Sequence, residues 1–319
     1  MDSDGFKGLL RAVGLLSERQ LDQLSIAVDA RRSATKSTRV IETARHGKCP
    51  TCGAERIVRN GHARGMQRYL CRGCGGTFNT TTGTALNGLH HKGRLFSFGQ
   101  CMAEGLSVRD TAQTLGVAVS TAHRLRHRFL DTLVQHQPKA LAGLVELDET
   151  YFRESFKGSR KMPRDARGRG SSNRPTKGPS PDLIAVLVAR SRGSLFVGDA
   201  VLGSMSKDNV VQALRSMVGP DTLLVADGSG TIKSAAAELG VALEALPAHA
   251  GRTRGAYHIQ TVNQYHERLK TWINRELRGV ATANLPKYLA WLRTFEWYRN
   301  HPSPEIYLVS ALGTQLINT

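Results

Sequence analysis

The sequence predicts a multidomain α+β protein, and three observations carry that prediction. Two Cys-x-x-Cys pairs, at 49–52 and 71–74, are separated by 18 residues. A helical period of apolar residues runs from 94 to 135. After Pro138, strand-like runs alternate with helical ones, an order that places helices against a sheet. A chain of 319 residues has room for several such parts.

The net charge of the chain favours one class of binding partner. The chain has 44 Lys and Arg against 26 Asp and Glu, a net charge of +18. This excess favours a polyanionic partner, most often nucleic acid, over a basic surface without a function. No apolar run approaches the roughly 18 residues of a membrane span. The start, "MDSDGFKGLL", is acidic where a signal peptide would be basic. We therefore expect a cytoplasmic protein with no membrane partner.

Residues 1–44 are predicted to form an N-terminal helical segment, in which "SERQ" is a capping box. Residues 45–82 are predicted to form a zinc ribbon. Two Cys-x-x-Cys knuckles can close a tetrahedron of four thiolates, which leaves no open position for chemistry and so indicates a structural Zn²⁺. Two disulfides are disfavoured in the cytoplasm, and a redox dithiol would not need four cysteines. Cys101 lies outside the pattern as an ordinary buried thiol. The zinc ligands would be Cys49, Cys52, Cys71 and Cys74.

Residues 90–137 are predicted to form a helix-turn-helix DNA-binding domain. Helices are expected over 94–106, 107–117 and 118–134, with Ser107 as an N-cap and a turn at Gly116. The last helix would enter the major groove, unless it is a solvated basic helix of an ordinary bundle. Its candidate DNA contacts are Ser120, Thr121, His123, Arg124, Arg126 and Arg128.

Residues 141–305 are predicted to form an RNase H-like α/β catalytic domain. Its first strand is "GLVELDETYF", followed by a basic loop over 153–181 that carries nine Lys and Arg. Two further strands, a crossover helix and a fourth strand follow, and that order is typical of the RNase H-like fold. In this layout Asp148 in the first strand and Asp227 at the end of the fourth lie side by side.

A carboxylate pair of this kind repels itself unless Mg²⁺ or Mn²⁺ neutralises it. Buried salt bridges with the many arginines are the alternative. Strand alternation places Glu146 and Asp148 on one face and Glu149 on the other.

Four segments carry a resemblance to a known family: "ELDETYF", "VADGSG", "TVNQYHERLK" and "RGVATANLPKYLAWLRTFEWYRN". Together with the ribbon pattern from Cys49 to Phe78, they resemble bacterial insertion-sequence transposases of the DDE superfamily. The resemblance covers roughly residues 45–300.

The resemblance implies roles for particular residues. Asp148 and Asp227 would be the first two catalytic acids, holding Mg²⁺ together with a third ligand. In the group of these transposases that carries a similar zinc ribbon, an Asn followed seven residues later by a Lys often replaces the usual Glu. Asn263 and Lys270 fit this variant. Glu267 and Glu276 are alternatives for the third ligand, and Lys270 would contact substrate phosphate.

The resemblance also implies an activity. The protein would be a nucleoid-associated DNA transposase that binds the terminal inverted repeats of its element and catalyses strand cleavage and strand transfer. Its partners would be double-stranded DNA, as transposon ends and target, and a second copy in a homodimer or higher oligomer. Two alternatives stay open: a catalytically inactive, transposase-derived DNA-binding protein, and a nuclease on the same fold.

Overall fold

The computed structural model describes residues 2–44, 47–90, 92–163, 182–246 and 253–314. The chain divides into two compact units. The first runs up to Phe129 and includes Ser303–Thr314, and the second runs from Leu130 to Pro302. Each unit contains helices and a sheet, so the predicted mixed α+β class is confirmed. Most of the predicted basic loop, residues 164–181, lies outside the described residues.

The first unit begins with two helices, α1 (Ser3–Val13) and α2 (Glu18–Thr43). The predicted capping box is present, because the Ser17 backbone N–H donates to Gln20 Oε1 at 2.9 Å. The second half of α2 is buried at Ser33, Ser37, Val40 and Ile41, whereas α1 buries no residue. The second half of α2 therefore carries the buried contacts of the N-terminal helices.

A three-stranded antiparallel sheet follows, built from β1 (Ile57–Ala63), β2 (Met66–Cys71) and β3 (Thr77–Asn79) in that order. The tight turn between β1 and β2 has positive φ at both Arg64 and Gly65, at 52° and 74°. That geometry matches the right-handed twist of a hairpin.

Three helices then form a compact group: α3 (Leu95–Ala103), α4 (Val108–Leu115) and α5 (Val119–Leu133). Ser107 accepts a hydrogen bond from the Asp110 N–H and caps α4, and Gly116 ends that helix with φ of 59°. The last helix of the chain, α10 (Pro304–Ala311), packs on α3. A Cβ at Gly99 would meet the Pro304 carbonyl oxygen at 2.6 Å, so only glycine permits this approach.

The second unit is built on a five-stranded sheet with the order β6-β5-β4-β7-β8. Strand β4 pairs antiparallel with β5 and parallel with β7. The strands are β4 (Leu141–Arg153), β5 (Leu183–Ser191), β6 (Val197–Leu202), β7 (Val218–Ala226) and β8 (Ala242–Ala245). A two-stranded hairpin, β9 (Thr253–Arg254) and β10 (Tyr257–His258), precedes the late helices.

Helices cover the sheet. α6 (Lys207–Arg215) and α7 (Gly230–Leu239) bury their apolar residues against Val145, Leu147 and Leu187. α8 (Gln260–Thr271) contacts β4 and β5, and α9 (Leu285–Trp297) contacts β6. The tryptophans expected in the core are buried, with exposed fractions of 7% for Trp272, 0% for Trp291 and 7% for Trp297. Among the described residues, no helix is both long and apolar enough to span a membrane.

Buried ion pairs fix the late helices to the sheet. Glu296 of α9 accepts hydrogen bonds from Arg190 of β5 and Arg268 of α8 at 2.7–2.9 Å. Arg293 of α9 pairs with Asp199 of β6. Because buried charges are costly unless they are paired, these contacts fix the positions of α8 and α9 closely.

Candidate active site and metal centres

Three carboxylates meet at one edge of the sheet in the second unit. The parallel pairing of β4 and β7 ends at Glu146 and Val225, so that two residues further along Asp148 and Asp227 stand level. One ligand oxygen from each of Asp148, Glu149 and Asp227 lies within 4.8 Å of the others. The structure thus brings the two predicted acids together and adds Glu149 to them.

The turn after β7 holds Asp227 in place. Its Oδ1 accepts a hydrogen bond from the Ser229 N–H at 3.0 Å, and Gly228 between them has φ of 79°. A Cβ at Gly228 would lie 3.2 Å from the Ala245 Cβ, so this turn favours glycine both by conformation and by space. The "DGS" turn therefore fixes the position of the Asp227 carboxylate at this edge of the sheet.

Glu149 differs from its predicted orientation. Alternation along a strand places it on the opposite face from Asp148, yet the two carboxylates belong to one cluster. The pairing with β7 ends at Glu146 while the pairing with β5 continues to Arg153, so Asp148 and Glu149 lie at an open edge of β4, where side chains from both faces can reach the same space. A sequence signal existed, because two adjacent acids interrupt an apolar strand at Asp148 and Glu149.

Burial and neighbouring negative charge disfavour the charged forms of Asp148 and Glu149. Burial, followed by the charge of Glu149, raises the pKa of Asp148 to about 7. Burial and the charge of Asp227 also raise the pKa of Glu149. Glu149 Oε2 is buried without a hydrogen-bond partner among the described residues. An all-oxygen donor set with uncompensated negative charge suits a hard divalent cation, so the residues present fit such an ion.

Helix α8 lines the same site. His266 is 4% exposed, and its Nδ1 lies 3.6 Å from Asp148 Oδ2. Burial and the charge of Lys270 lower the pKa of His266 to about 4, so the imidazole is neutral at pH 7. The charge of Lys270 lowers the pKa of Asp148, but burial raises that pKa by more. Asn263, half-buried, shares this helix face because it lies three and seven residues before these two.

Glu267 lies outside the carboxylate cluster. Its side chain is 78% exposed, and its carboxylate lies 3.5 Å from Lys270 Nζ. Glu276 lies further along, in a π-helical turn (Trp272–Glu276) after α8. Of the candidate third ligands, Asn263 shares its helix face with the histidine next to Asp148.

Glu146, two residues before Asp148, has a different environment. It is fully buried, and its Oε1 accepts a hydrogen bond from Arg192 at 2.9 Å. Its Oε2 accepts from the Val262 N–H at 3.0 Å, in the first turn of α8. His258 Nδ1 lies 3.3 Å from Oε1. Glu146 and Arg192 therefore join β4, the residue after β5 and the start of α8, a role that sequence reasoning did not assign.

Comparison with known proteins decides the family. Residues 140–300, half of the chain, match the family described as "ISXO2-like transposase domain". The chain belongs to this family. The matched region contains the carboxylate cluster and α8.

An individual relative agrees with this assignment. Over 148 residues the chain is 34% identical to an "Uncharacterized protein in transposable element ISH50" from Halobacterium salinarum (strain ATCC 700922 / JCM 11081 / NRC-1). That match covers 46% of this chain and spans half the length of the curated relative.

Two solved structures share limited similarity. A pre-cleavage Mos1 transpososome aligns with 12% identity and a TM-score of 0.29, covering 68% of this chain and 78% of that one. The Mos1 strand transfer complex aligns with 13% identity and a TM-score of 0.25, covering 68% and 77%. The assignment rests on the family match and not on these alignments.

The four ribbon cysteines gather into one cluster in the first unit. Cys49 Sγ lies 3.8 Å from Cys74 Sγ, and Cys52 Sγ lies 3.6 Å from Cys71 Sγ. A tetrahedron with Zn–S bonds of about 2.3 Å has edges of roughly 3.8 Å, so the spacing suits a four-thiolate metal site. All four are free thiols.

Each knuckle is closed by backbone hydrogen bonds. The Gly53 N–H donates to the Cys49 carbonyl at 2.9 Å, and the Gly75 N–H donates to the Cys71 carbonyl at 3.0 Å. Both glycines have positive φ, 74° and 70°, as expected for these turns. A hydrogen bond from the Cys52 backbone lowers the pKa of Cys49 to about 6, which favours the thiolate that a metal needs.

The predicted DNA-contact residues on α5 fall into two groups. Ser120, His123, Arg124 and Arg128 are exposed, and Thr121 is half-buried. Arg126 is only 2% exposed, and its guanidinium donates to the Leu106 carbonyl and to Thr111 Oγ1. Arg126 thus fixes α5 against α4, so the structure excludes it from a solvent-facing contact surface. In the sequence Arg126 stands among other basic residues, so the pattern did not reveal that it lies on the buried face of α5.

Proposed function

We propose that the protein is a DNA transposase that cleaves and joins DNA strands by divalent-metal-dependent phosphoryl transfer at the carboxylate cluster. The observation that carries this proposal is the meeting of Asp148, Glu149 and Asp227 within 4.8 Å, with the pKa of Asp148 raised to about 7. Carboxylates held together against their own repulsion form a prepared cation site.

Asp148 and Asp227 would hold the catalytic Mg²⁺ or Mn²⁺, and Asn263 would complete the ligand set from α8. When bound, the metal supplies Lewis-acid stabilisation of the leaving oxygen and activation of a water or 3′-hydroxyl. Lys270 would contact the substrate phosphate from the next turn of the helix. His266, neutral at pH 7, would orient the Asp148 carboxylate from 3.6 Å.

DNA recognition is assigned to the first unit, with a structural Zn²⁺ held by its four cysteines. The exposed residues of α5, Arg124 and Arg128 above all, would contact the terminal inverted repeats in the major groove. The chain's charge of +18 supports binding to double-stranded DNA.

We also propose self-association through α1 and the first half of α2. Seven exposed large apolar residues concentrate in this short segment. Residues 2–30 carry five acidic and three basic side chains. Two copies that meet through this segment would therefore avoid the repulsion between positive charges that the rest of this basic chain would cause. The seven are Phe6, Leu9, Leu10, Leu15, Leu21, Ile26 and Val28. Light scattering should give a dimer for wild type and a monomer for Leu9→Glu with Leu10→Glu, and a monomeric wild type would exclude this surface.

The activity is tested with end-labelled duplexes taken from the DNA flanking this gene. Wild type is compared with Asp148→Asn, Asn263→Ala and Glu267→Ala, in buffer with Mg²⁺ or Mn²⁺ and in buffer without them. Omission of the metal is preferable to EDTA, because a chelator would also remove zinc from the cysteine site. Glu244→Gln, a carboxylate change on β8 outside the cluster, serves as the matched control.

Metal-dependent cleavage and joining that are lost only in Asp148→Asn and Asn263→Ala would support the proposal with Asn263 as ligand. Loss in Glu267→Ala with activity retained in Asn263→Ala would transfer that role to Glu267. Cleavage without joined products would indicate a nuclease. Sequence-specific binding without cleavage under either metal would indicate a DNA-binding protein on an inactive catalytic fold.

A further inference from the structure

A cavity in the first unit has the composition of an anion site. Its volume is about 520 Å³, and it lies between the β-hairpin of the ribbon and the segment that leads into α3. Arg64, Arg68, His90 and Lys92 line it, together with the polar side chains of Asn79 and Thr82. Within the described part of the chain, no Asp or Glu lines it.

Lys92 is held at the cavity by a chain of hydrogen bonds. Its Nζ donates to Thr81 Oγ1 at 2.8 Å, and that hydroxyl donates to Asn79 Oδ1 at 2.9 Å. An ammonium carries three N–H donors, so two remain after the contact with Thr81. The Asn79 oxygen also accepts from the Thr81 N–H at 3.0 Å, which orients the amide. These contacts fix a cation and an amide beside the same space.

Among the described residues that line the cavity, no carboxylate balances the positive charge. Burial and the charge of Arg64 both lower the pKa of Lys92. A cation that is half-buried beside other cations is destabilised until an anion arrives. A tetrahedral oxyanion suits the donors present, because arginine, lysine and amide groups all donate hydrogen bonds to its oxygens.

A second cavity shows which oxyanion is favoured. It has a volume of about 450 Å³ and is lined by Thr121, Arg124 and Arg128 of α5. The two cavities share Gly88, Leu89 and His90, so they adjoin. A polymer with regularly spaced phosphates can occupy both, whereas a free phosphate occupies one.

We propose that the cavity at Lys92 binds a phosphodiester of the DNA strand whose base edges face α5. The proposal rests on the proposed function, since it takes DNA as the ligand of the first unit. Contacts of this kind carry no sequence information, but they fix the register of a protein on the duplex. The ribbon would therefore position α5 on the DNA backbone through Lys92, Arg64 and Arg68.

The test measures how salt weakens DNA binding. Anisotropy of a fluorescein-labelled duplex of random sequence gives log Kd against log salt for the full chain and for Lys92→Gln and Arg64→Gln. Each lost phosphate contact should reduce the slope by about 0.9. The advantage of wild type over each variant should then shrink about threefold between about 50 and 200 mM salt. Circular dichroism and zinc content verify that each variant is folded. Because Arg64 is exposed, Arg64→Gln removes a charge from the cavity and leaves the hydrogen bond between Lys92 and Thr81 intact.

The matched control is Arg72→Gln, an exposed arginine of the same ribbon that lines neither cavity. Its slope should equal that of wild type. Equal reductions in all three variants would overturn the proposal in favour of ordinary surface charge. Unchanged slopes in Lys92→Gln and Arg64→Gln would overturn it while leaving the proposed function intact. A wild type that binds no duplex would refute the proposed function itself.

A second measurement separates the two sources of phosphate. Sodium phosphate is titrated into wild type and Lys92→Gln by calorimetry. Weak binding that is lost in the variant, together with reduced DNA slopes, supports a phosphodiester site. Phosphate binding that is lost in the variant while the DNA slopes stay unchanged would assign the cavity to a free phosphate instead.

Discussion

Replacing Glu146 should destabilise the second unit more than replacing any surface carboxylate. The side chain is fully buried in β4, and it contacts Arg192, the residue after β5, and the Val262 N–H of α8. Glu146→Ala removes the carboxylate partner of Arg192, which keeps the Ala256 and His258 carbonyls, and leaves one backbone N–H without its acceptor. Glu146→Gln keeps the shape and one oxygen but removes the charge.

The magnitude follows from these contacts. Removing one partner of a buried ion pair costs about 3–5 kcal/mol, and the lower end applies because the Arg192 side chain is 25% exposed. An unsatisfied buried N–H adds about 1 kcal/mol. We therefore expect Glu146→Ala to lower the free energy of unfolding by about 4 kcal/mol, and Glu146→Gln by about 2 kcal/mol.

Urea unfolding followed by tryptophan fluorescence is the appropriate assay. All three tryptophans, at 272, 291 and 297, lie in the second unit, so the fluorescence signal does not report on the first unit. The control is Glu244→Gln, which breaks the Glu244–Arg254 pair at 3.0 Å, where the Arg254 side chain is 77% exposed. An exposed pair contributes about 1 kcal/mol or less. Equal losses for Glu146→Ala and Glu244→Gln would refute the assigned role of Glu146.

Three further predictions concern groups elsewhere. The pKa of Asp148 is raised from 3.8 to about 7 in the folded state, so between these pH values the folded state binds a proton that the unfolded state has lost. In magnesium-free buffer the second unit should therefore lose about 2–4 kcal/mol of stability as pH rises from about 4 to 7. An equal fall in the curve for Asp148→Asn would refute this. Purified protein should release one Zn²⁺ per chain to a colorimetric chelator, and Cys71→Ala should abolish this, whereas Cys101→Ala should not. Arg126→Met should lower the melting temperature and leave the salt dependence of DNA binding unchanged, while Arg124→Gln should do the reverse.

Local features of the fold were predictable because neighbouring residues determine them. Ser107 and Gly116 mark the ends of α4 whatever the rest of the chain does, since a cap involves atoms three or four residues apart. The spacing of the four cysteines similarly predicts their cluster, because each knuckle is a closed turn. Asp148 and Asp227 were found because strand order alone brings them level.

Other features depend on tertiary contacts that no local pattern encodes. The place of Glu149 depends on where the pairing with β7 ends, since only at the open edge that this leaves can side chains from both faces of β4 meet. The burial of Arg126 depends on carbonyl and hydroxyl acceptors 15–20 residues earlier in the chain. The packing of α10 on α3 brings together segments about 200 residues apart, and only Gly99 hints at it.

The contrast between Glu146 and Asp148 supports the proposed division between a structural carboxylate and a metal-binding one. Both acids lie in one strand, two residues apart, and are predicted to share a face. Glu146 has an arginine and a backbone N–H at 2.9–3.0 Å, so its charge is compensated within the fold. Asp148 instead faces two further carboxylates, and burial, followed by their charges, raises its pKa. Since arginines are abundant in this chain, a fold that needed Asp148 only for stability would have paired it as it paired Glu146. The repulsion is retained where a cation can relieve it, and the same comparison applies to any acid that interrupts an apolar strand.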